Sequence, residues 1–248
     1  MPTPREQVLE RGYTILESVY STRDCADIRD IFRRCWERAG SPGTGGSFGF
    51  VMHPILKYAP ELARFYNRAD VIAALRSVFQ DEPRLAHSGG LMSDSSRKFT
   101  EWHYHRSDIV DASAWNPNRT DRPADIERVL GNIYIDGSND EMGPLLLHPR
   151  RIDDVLAPPY QERFGDWPGQ NVIQCPPGSM VIFDQNVWHA ARPAKCSKLR
   201  HLFGGHYQGW NNTTPHREDN SYDGEELQPF KEKYPLFRAL VERSACPV

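Results

Sequence analysis

The pattern of apolar and polar positions divides the chain into a helical first third and a strand-rich remainder. Before residue 80 the apolar residues mostly recur at helical spacing. A short strand over residues 11–20 precedes a helix that Ser21 can cap and that extends to about Ala39. Further helices are predicted over residues 60–66 and 69–79, where they would support a sheet.

From Arg84 onward, short apolar or aromatic runs alternate with turn residues, which is the pattern of an antiparallel β domain. Strands are predicted over residues 85–91, 99–105, 129–135, 144–147, 179–183 and 199–207. We therefore expect an α+β fold in one domain spanning residues 1–248. Its parts are a helical buttress at about 21–80, a β core at about 84–207 and a C-terminal helix at about 229–243.

Two loops stand out in this pattern. The segment 108–128 is long and polar, and a loop of that length in a compact domain is either functional or mobile. Gly40 to Gly49 is rich in Gly, Ser and Pro, and it is read either as a lid or as a plain connector.

Composition excludes several classes of partner. The formal net charge is -3 and there is no basic run, so neither nucleic acid nor a membrane surface is expected to bind. No apolar run reaches membrane-spanning length, and no apolar stretch of a signal peptide follows Met1. Five cysteines without a CxxC pair indicate reduced thiols. We expect a soluble, cytoplasmic protein.

The candidate chemistry lies in the segment Trp102-His-Tyr-His-Arg-Ser-Asp108. His103 and His105 are two residues apart after strand-like aromatics, so they should point to the same face. His189 ends a second apolar segment, and Arg200 follows on the next predicted strand. Imidazoles on separate strands that a sheet can bring together suit a non-haem iron site better than a zinc knuckle.

Several motifs in this order resemble the phytanoyl-CoA dioxygenase-like branch of the iron(II)/2-oxoglutarate oxygenases, and the likeness covers most of the chain. The matching segments are Gly12-Tyr-Thr-Ile-Leu-Glu, Trp102-His103, Asn132-Ile-Tyr-Ile-Asp-Gly, Glu141-Met-Gly-Pro-Leu and Gly178-Ser-Met-Val-Ile-Phe-Asp-Gln-Asn-Val-Trp-His189. Arg200, eleven residues after His189, stands where that family places the arginine for the C5 carboxylate of 2-oxoglutarate.

The resemblance implies a double-stranded β-helix, or jelly roll, that binds Fe(II) and 2-oxoglutarate and uses O₂ as co-substrate. His103 and His189 would be metal ligands, and Arg200 would bind 2-oxoglutarate by a bidentate pair. Further candidate donors to 2-oxoglutarate are Asn132, Tyr134 and Ser197. Candidate contacts to an anionic substrate are Arg106, Arg119 and Arg122, for which a solvated loop face is the alternative.

The third metal ligand is open, because His105 stands where the family has an aspartate. Asp108 could reach back through a bulge and complete a set of two histidines and a carboxylate. His105 itself could be the ligand, which strand parity favours. In a third reading the site has no third protein ligand or has lost iron; a vacant position would permit halide binding, but a bulky imidazole argues against that.

The function expected from this resemblance is hydroxylation of an unactivated carbon of a small, specialised or natural-product metabolite, with desaturation or ring formation as variants. A three-histidine, cupin-like dioxygenase that does not use 2-oxoglutarate is one alternative. A catalytically inactive, ligand-binding jelly roll is another. Neither the substrate nor the oligomeric state follows from the sequence.

Overall fold

The computed structural model describes residues 2–106, 109–110, 115–213 and 219–245. Helices and antiparallel strands are both present. The α-helices are α1 Pro4–Arg11, α2 Thr22–Arg38, α3 Ile55–Tyr58, α4 Ala63–Tyr66, α5 Ala69–Phe79, α6 Gln228–Lys233 and α7 Pro235–Val241. The strands are β1 Tyr13–Leu16, β2 Phe50–Met52, β3 Pro83–Ser93, β4 Thr100–His103, β5 His105–Arg106, β6 Ile109–Val110, β7 Arg128–Tyr134, β8 Leu145–Leu147, β9 Asn171–Val172, β10 Ser179–Asp184, β11 His189–Ala191 and β12 Arg200–Gly209.

The helix predictions are confirmed where the apolar periodicity is long. Helix α2 begins after Ser21, whose hydroxyl accepts from the backbone N–H of Asp24 in a capping box, and α5 has the predicted bounds. The predicted C-terminal helix is two helices, because Pro235 offers no backbone N–H to continue α6. Helix α1 was not predicted, although Thr3 and Glu6 form a second capping box.

Ten of these strands form two antiparallel sheets. The larger has the order β1-β10-β7-β12-β3-β2, and the smaller has the order β4-β11-β8-β9. Strands β5 and β6 pair separately. Each of the six strands predicted after Arg84 is present with shifted ends, whereas β2, β6, β9 and β11 are two or three residues long and were not predicted. A strand of two or three residues is too short to show a measurable alternation of apolar and polar positions.

The two faces of the larger sheet are buried differently. Helices cover one face, where Ile28, Phe32 and Phe203 belong to one apolar cluster. On the other face Tyr134 shares a cluster with Leu145 and Leu147 of the smaller sheet. The two sheets therefore pack face to face, and side chains of both line one cavity.

The outer face of the smaller sheet carries the tryptophans. Trp102 stacks on Trp167 with ring centroids 4.1 Å apart, and Trp188 is buried in the same cluster. Trp102 and Trp188 thus pack away from the histidines that follow them, as strand alternation requires. Among the described residues, no helix is both long enough and apolar enough to cross a bilayer.

Candidate metal centre and its cavity

Neighbouring strands bring two of the predicted histidines together. His103 ends β4 and His189 begins β11, and the two residues are direct partners in the antiparallel pairing of these strands. Their ring centroids are 4.1 Å apart. Side chains opposite each other on one face of a sheet are the nearest cross-strand neighbours, so the pairing itself forms this part of the site.

His105 joins the pair from the segment that follows β4. Trp102 and Tyr104 are buried in the cluster outside the sheet, whereas His103 and His105 both line the cavity. The backbone N–H of His105 donates to the carbonyl of Gln185 at 2.8 Å, which holds this segment in place. The predicted parity of the two histidines is confirmed.

The three imidazoles form a compact group of possible metal ligands. One ligand atom from each of His103, His105 and His189 lies within 4.8 Å of the others. Nε2 of His105 is 3.2 Å from Nε2 of His189. Two nitrogens bound at right angles to one ion, each about 2.1 Å from it, are about 3.0 Å apart, so this separation suits two adjacent ligands.

Backbone carbonyls set the tautomer of two of these rings. Nδ1 of His103 lies 2.7 Å from the carbonyl oxygen of Glu101, and Nδ1 of His189 lies 2.9 Å from that of Val187. A carbonyl oxygen only accepts hydrogen bonds, so each Nδ1 carries the proton. Each Nε2 then presents a lone pair, which is how second-shell contacts orient histidine ligands of metals.

All three rings are held neutral. Burial lowers the pKa of His103. Burial and the neighbouring imidazoles lower the pKa values of His105 and His189 well below the ordinary range. Neutral imidazole is the form that binds a metal, so the site needs no deprotonation near neutral pH.

Arg200 lies deep in the same cavity, on the first residue of β12. Its side chain is buried, and Nη1 donates to the carbonyl of Gly143 at 2.9 Å. Gly143 has a left-handed backbone with φ of 69°, and a Cβ there would lie 2.6 Å from the carbonyl oxygen of Arg192. The turn after Glu141 therefore requires glycine, and it fixes the direction of the guanidinium.

A second arginine, Arg97, lines the cavity beside Arg200 and was not predicted. It is buried, and its guanidinium donates to the hydroxyl of Thr100 at 2.9 Å and to backbone carbonyls that include that of Arg192. Burial and the nearby Arg200 cation lower the pKa of Arg97 to about 10. The repulsion between two buried guanidinium groups is costly unless a nearby anion offsets it.

Tyr134 of β7 completes this end of the cavity. Its ring lies under the Arg200 guanidinium, with the carbon Cζ 5.4 Å from the ring centroid. Its buried hydroxyl has no hydrogen-bond partner among the described residues, and burial raises its pKa to about 12. Within the described part of the chain, neither Arg97 nor Arg200 forms an ion pair with a carboxylate.

The cavity has a volume of about 750 Å³ and holds both groups of side chains. The three histidines, the two arginines and Tyr134 all line it, and Asn132 lines it as predicted. None of the described residues that line it is Asp or Glu. That volume falls in the range of small-molecule sites.

Three predicted residues lie elsewhere. Ser197 is exposed on the turn before β12 and does not line the cavity, so the structure gives no support to its expected contact with 2-oxoglutarate. Arg119 donates to the hydroxyl of Tyr104 and pairs with Asp121, and Arg122 is exposed and donates to the carbonyl of Asp153. Both arginines point to partners of their own instead of the cavity. Asp108 and the side chain of Arg106 lie outside the described residues.

Three further histidines that line the cavity were not predicted as site residues. His206 of β12 lies edge-on to His105 at 5.3 Å between ring centroids, and His87 lies 6.1 Å beyond His206. Nε2 of His87 is 3.0 Å from Nδ1 of His53. His206 is six residues after Arg200 on one strand, so alternation places both on the same face, and that signal was present in the sequence.

No protein-family model matches the chain, and no curated protein matches it significantly. Several solved structures do match the chain. HygX from Streptomyces hygroscopicus, with nickel and 2-oxoglutarate bound, has a TM-score of 0.62 at 13% identity, over 88% of this chain and 97% of that one. SnoK, a non-haem α-ketoglutarate-dependent carbocyclase from nogalamycin biosynthesis, has a TM-score of 0.65 at 16% identity, over 86% of each chain.

A third similar structure is EctD from S. alaskensis in its apoform, with a TM-score of 0.61 at 17% identity, over 85% of this chain and 78% of that one. At such identities the likeness concerns the fold. The resemblance in the motifs is confirmed at that level: the chain has the fold of the non-haem, 2-oxoglutarate-dependent oxygenases of the phytanoyl-CoA dioxygenase-like kind.

Proposed function

We propose that this protein is an iron(II)- and 2-oxoglutarate-dependent oxygenase with a jelly-roll core in a single domain. It would hydroxylate an unactivated carbon of a small, specialised metabolite. The observation that carries the proposal is one cavity that joins three neutral imidazoles to two buried arginines without a carboxylate partner among the described residues. This combination suits a metal ion and a dicarboxylate bound side by side.

The residues present fit the metal. We infer that His103, His105 and His189 bind it through nitrogen, since His103 and His189 have protonated Nδ1 atoms and all three rings are neutral. Three protein ligands leave three positions of an octahedral ion for 2-oxoglutarate and O₂. Bound iron would supply the activation of O₂ that is coupled to oxidative decarboxylation of 2-oxoglutarate.

The residues also fit 2-oxoglutarate. We infer that Arg200 binds the C5 carboxylate, with Arg97 adding positive charge and the hydroxyl of Tyr134 donating a hydrogen bond. Burial supports this role, because a charge-assisted hydrogen bond in a water-excluded site is strong and orients its partner. Asn132, which lines the same wall, would contribute a further polar contact.

The protein's own part in the reaction would be to position the reactants and exclude water. The rings of the triad are fixed by carbonyls, and Arg200 is fixed by Gly143, so neither group has to reorganise when its ligand arrives. Apolar side chains on the cavity wall, including Leu91, Leu145 and Leu202, would hold the carbon body of a substrate near the metal.

The test is an anaerobic titration of the metal-free protein with iron(II) and then 2-oxoglutarate, followed by visible absorption. A chelated 2-oxo acid gives a weak charge-transfer band that needs both partners on one metal. We expect the band in the wild type and its loss in Arg200→Ala, with iron affinity retained. Arg122→Ala, at an exposed arginine, is the matched control.

The all-histidine face favours one second candidate, a three-histidine dioxygenase that uses O₂ without 2-oxoglutarate. Iron binding without the band would support this candidate and contradict the proposal. Failure to bind iron at all would indicate a ligand-binding protein without catalytic activity.

A further inference from the structure

The cavity extends beyond the metal and 2-oxoglutarate positions toward a wall of histidines. This wall consists of His206, His87 and His53. It begins 5.3 Å from the ring of His105 and ends at His53. Arg128 of β7, which is 1% exposed, lines the cavity with them.

The ring of His206 has capacity to bind a ligand. It contacts the rings of His105 and His87 edge-on, yet its nitrogens make no hydrogen bond with the part of the chain that the structure describes. One nitrogen of a neutral imidazole is a donor. Because the ring lines the cavity, a ligand placed there can accept that hydrogen bond.

The net charge of the cavity with iron(II) and 2-oxoglutarate bound adds a second constraint on the substrate. This constraint rests on the proposed function. Three neutral imidazoles leave both charges of iron(II) uncancelled, and a 2-oxoglutarate dianion balances those two charges. With iron(II) and 2-oxoglutarate bound, the cavity keeps the net positive charge of Arg97 and Arg200, because none of the described residues that line it is Asp or Glu. An uncompensated buried charge is costly, so a second anion in the cavity is favoured.

The opening of the cavity has a different character. Phe48 and Val51 line it, and each is 41% exposed, so both present apolar surface to a ligand that enters the cavity. Phe48 also lies edge-on to His103 at 6.4 Å between ring centroids. A substrate in this space would therefore meet apolar side chains near the rim and polar, basic ones along the wall.

We propose that the substrate is an organic anion with an apolar body, whose acidic group accepts a hydrogen bond from His206 on the histidine wall. Phe48 and Val51 hold the apolar body. His206 is thus a specificity-determining residue, and cationic molecules are excluded from the cavity.

The experiment measures binding of three matched probes to the protein loaded with nickel(II) and saturating 2-oxoglutarate. The probes are 2-naphthoate, the neutral 2-naphthylmethanol and the cationic 2-naphthylmethylammonium, and the method is isothermal titration calorimetry. We expect naphthoate to bind at least about tenfold more tightly than the alcohol, and the ammonium to bind most weakly.

Two variants assign the preference to His206. His206→Phe keeps the ring but removes the donor, and we expect it to lose the tenfold preference for naphthoate while the alcohol binds as before. His206→Gln keeps a donor and should retain most of the preference. His148→Phe, at a half-buried histidine that packs on Tyr160 and Trp167 outside the cavity, is the control and should match the wild type.

The outcomes separate this inference from the proposed function. The 2-oxoglutarate titration is performed first on the same sample, and its failure would overturn both. If 2-oxoglutarate binds but the probes show no charge preference, or His206→Phe keeps that preference, only the substrate inference is overturned. Naphthoate that competes with 2-oxoglutarate would also overturn it, because the probe would then occupy the Arg200 end.

Discussion

His103 and His189 face each other across adjacent antiparallel strands, with ring centroids 4.1 Å apart and each Nδ1 bonded to a backbone carbonyl of its own strand or turn. Strand pairing therefore sets the separation of the two candidate ligands, and the local carbonyls set their tautomers. The third ligand position depends on the segment that follows β4, which lies outside this pairing.

Replacing His105 tests the third ligand. We expect His105→Ala to weaken iron(II) or nickel(II) binding by roughly 100-fold or more, because even contacts behind a ligand are worth about 10- to 100-fold in metal affinity. Asp108→Ala, measured in parallel by anaerobic calorimetry, should change the affinity little. The reverse order would assign the position to Asp108 instead.

Arg97 should strengthen 2-oxoglutarate binding without affecting the metal. Arg97→Gln removes one of two buried cations beside the ligand, and we expect 2-oxoglutarate affinity to fall roughly tenfold or more at unchanged nickel affinity. Arg97→Lys keeps the charge but not the planar set of donors, so it should lie between Gln and the wild type. Equal affinities in all three proteins would show that Arg97 only supports the loop.

The turn at Gly143 should control Arg200 indirectly. A Cβ at this position would lie 2.6 Å from the carbonyl oxygen of Arg192 on a backbone with φ of 69°. We expect Gly143→Ala to lower stability by about 1 kcal/mol or more and to weaken 2-oxoglutarate while the metal still binds. Denaturant unfolding and ligand calorimetry on one preparation would measure both, and Gly169→Ala, where φ is 78° and a Cβ meets no atom within 4 Å, controls for backbone strain alone.

Asp184 should make stability depend on pH. It is buried, and burial raises its pKa to about 7 despite Arg150, whose Nη1 lies 3.5 Å from Oδ2. The pKa is higher in the folded than in the unfolded state, where it is about 3.9. The folded state therefore binds the proton more tightly, and this contribution to stability is full below pH 4 and lost as the pH rises to about 7.

Asp184→Asn removes this dependence. We expect the free energy of unfolding of the variant to rise relative to the wild type between pH 4 and pH 7, by at most about 1.4 kcal/mol per pH unit, and to stay level above pH 7. Urea unfolding across pH 4.5 to 8 measures it. Asp166→Asn is the control, because Arg192 lowers the pKa of that carboxyl and its linkage lies below pH 4; a matching slope in both variants would contradict the assignment.

Local sequence determined the parts of the fold that depend on neighbours along the chain. The capping box at Ser21 and the apolar periodicity placed α2 and α5, and alternation placed the longer strands. The same alternation, together with the family motifs, identified His103, His189 and Arg200. Each of these signals lies within one short segment of the chain, so no tertiary contact is needed to recognise it.

Only the tertiary structure decided which distant residues share the cavity. Arg97 lies in the turn between β3 and β4, and nothing in its neighbours indicates that it lies beside Arg200; Ser197 is only three residues from Arg200 but is exposed. The histidine wall likewise joins His53, His87 and His206 from three separate segments. Strand order and register determine which of these residues become neighbours, and both depend on the packing of the whole sheet. The pattern of residues along the chain does not reveal that packing.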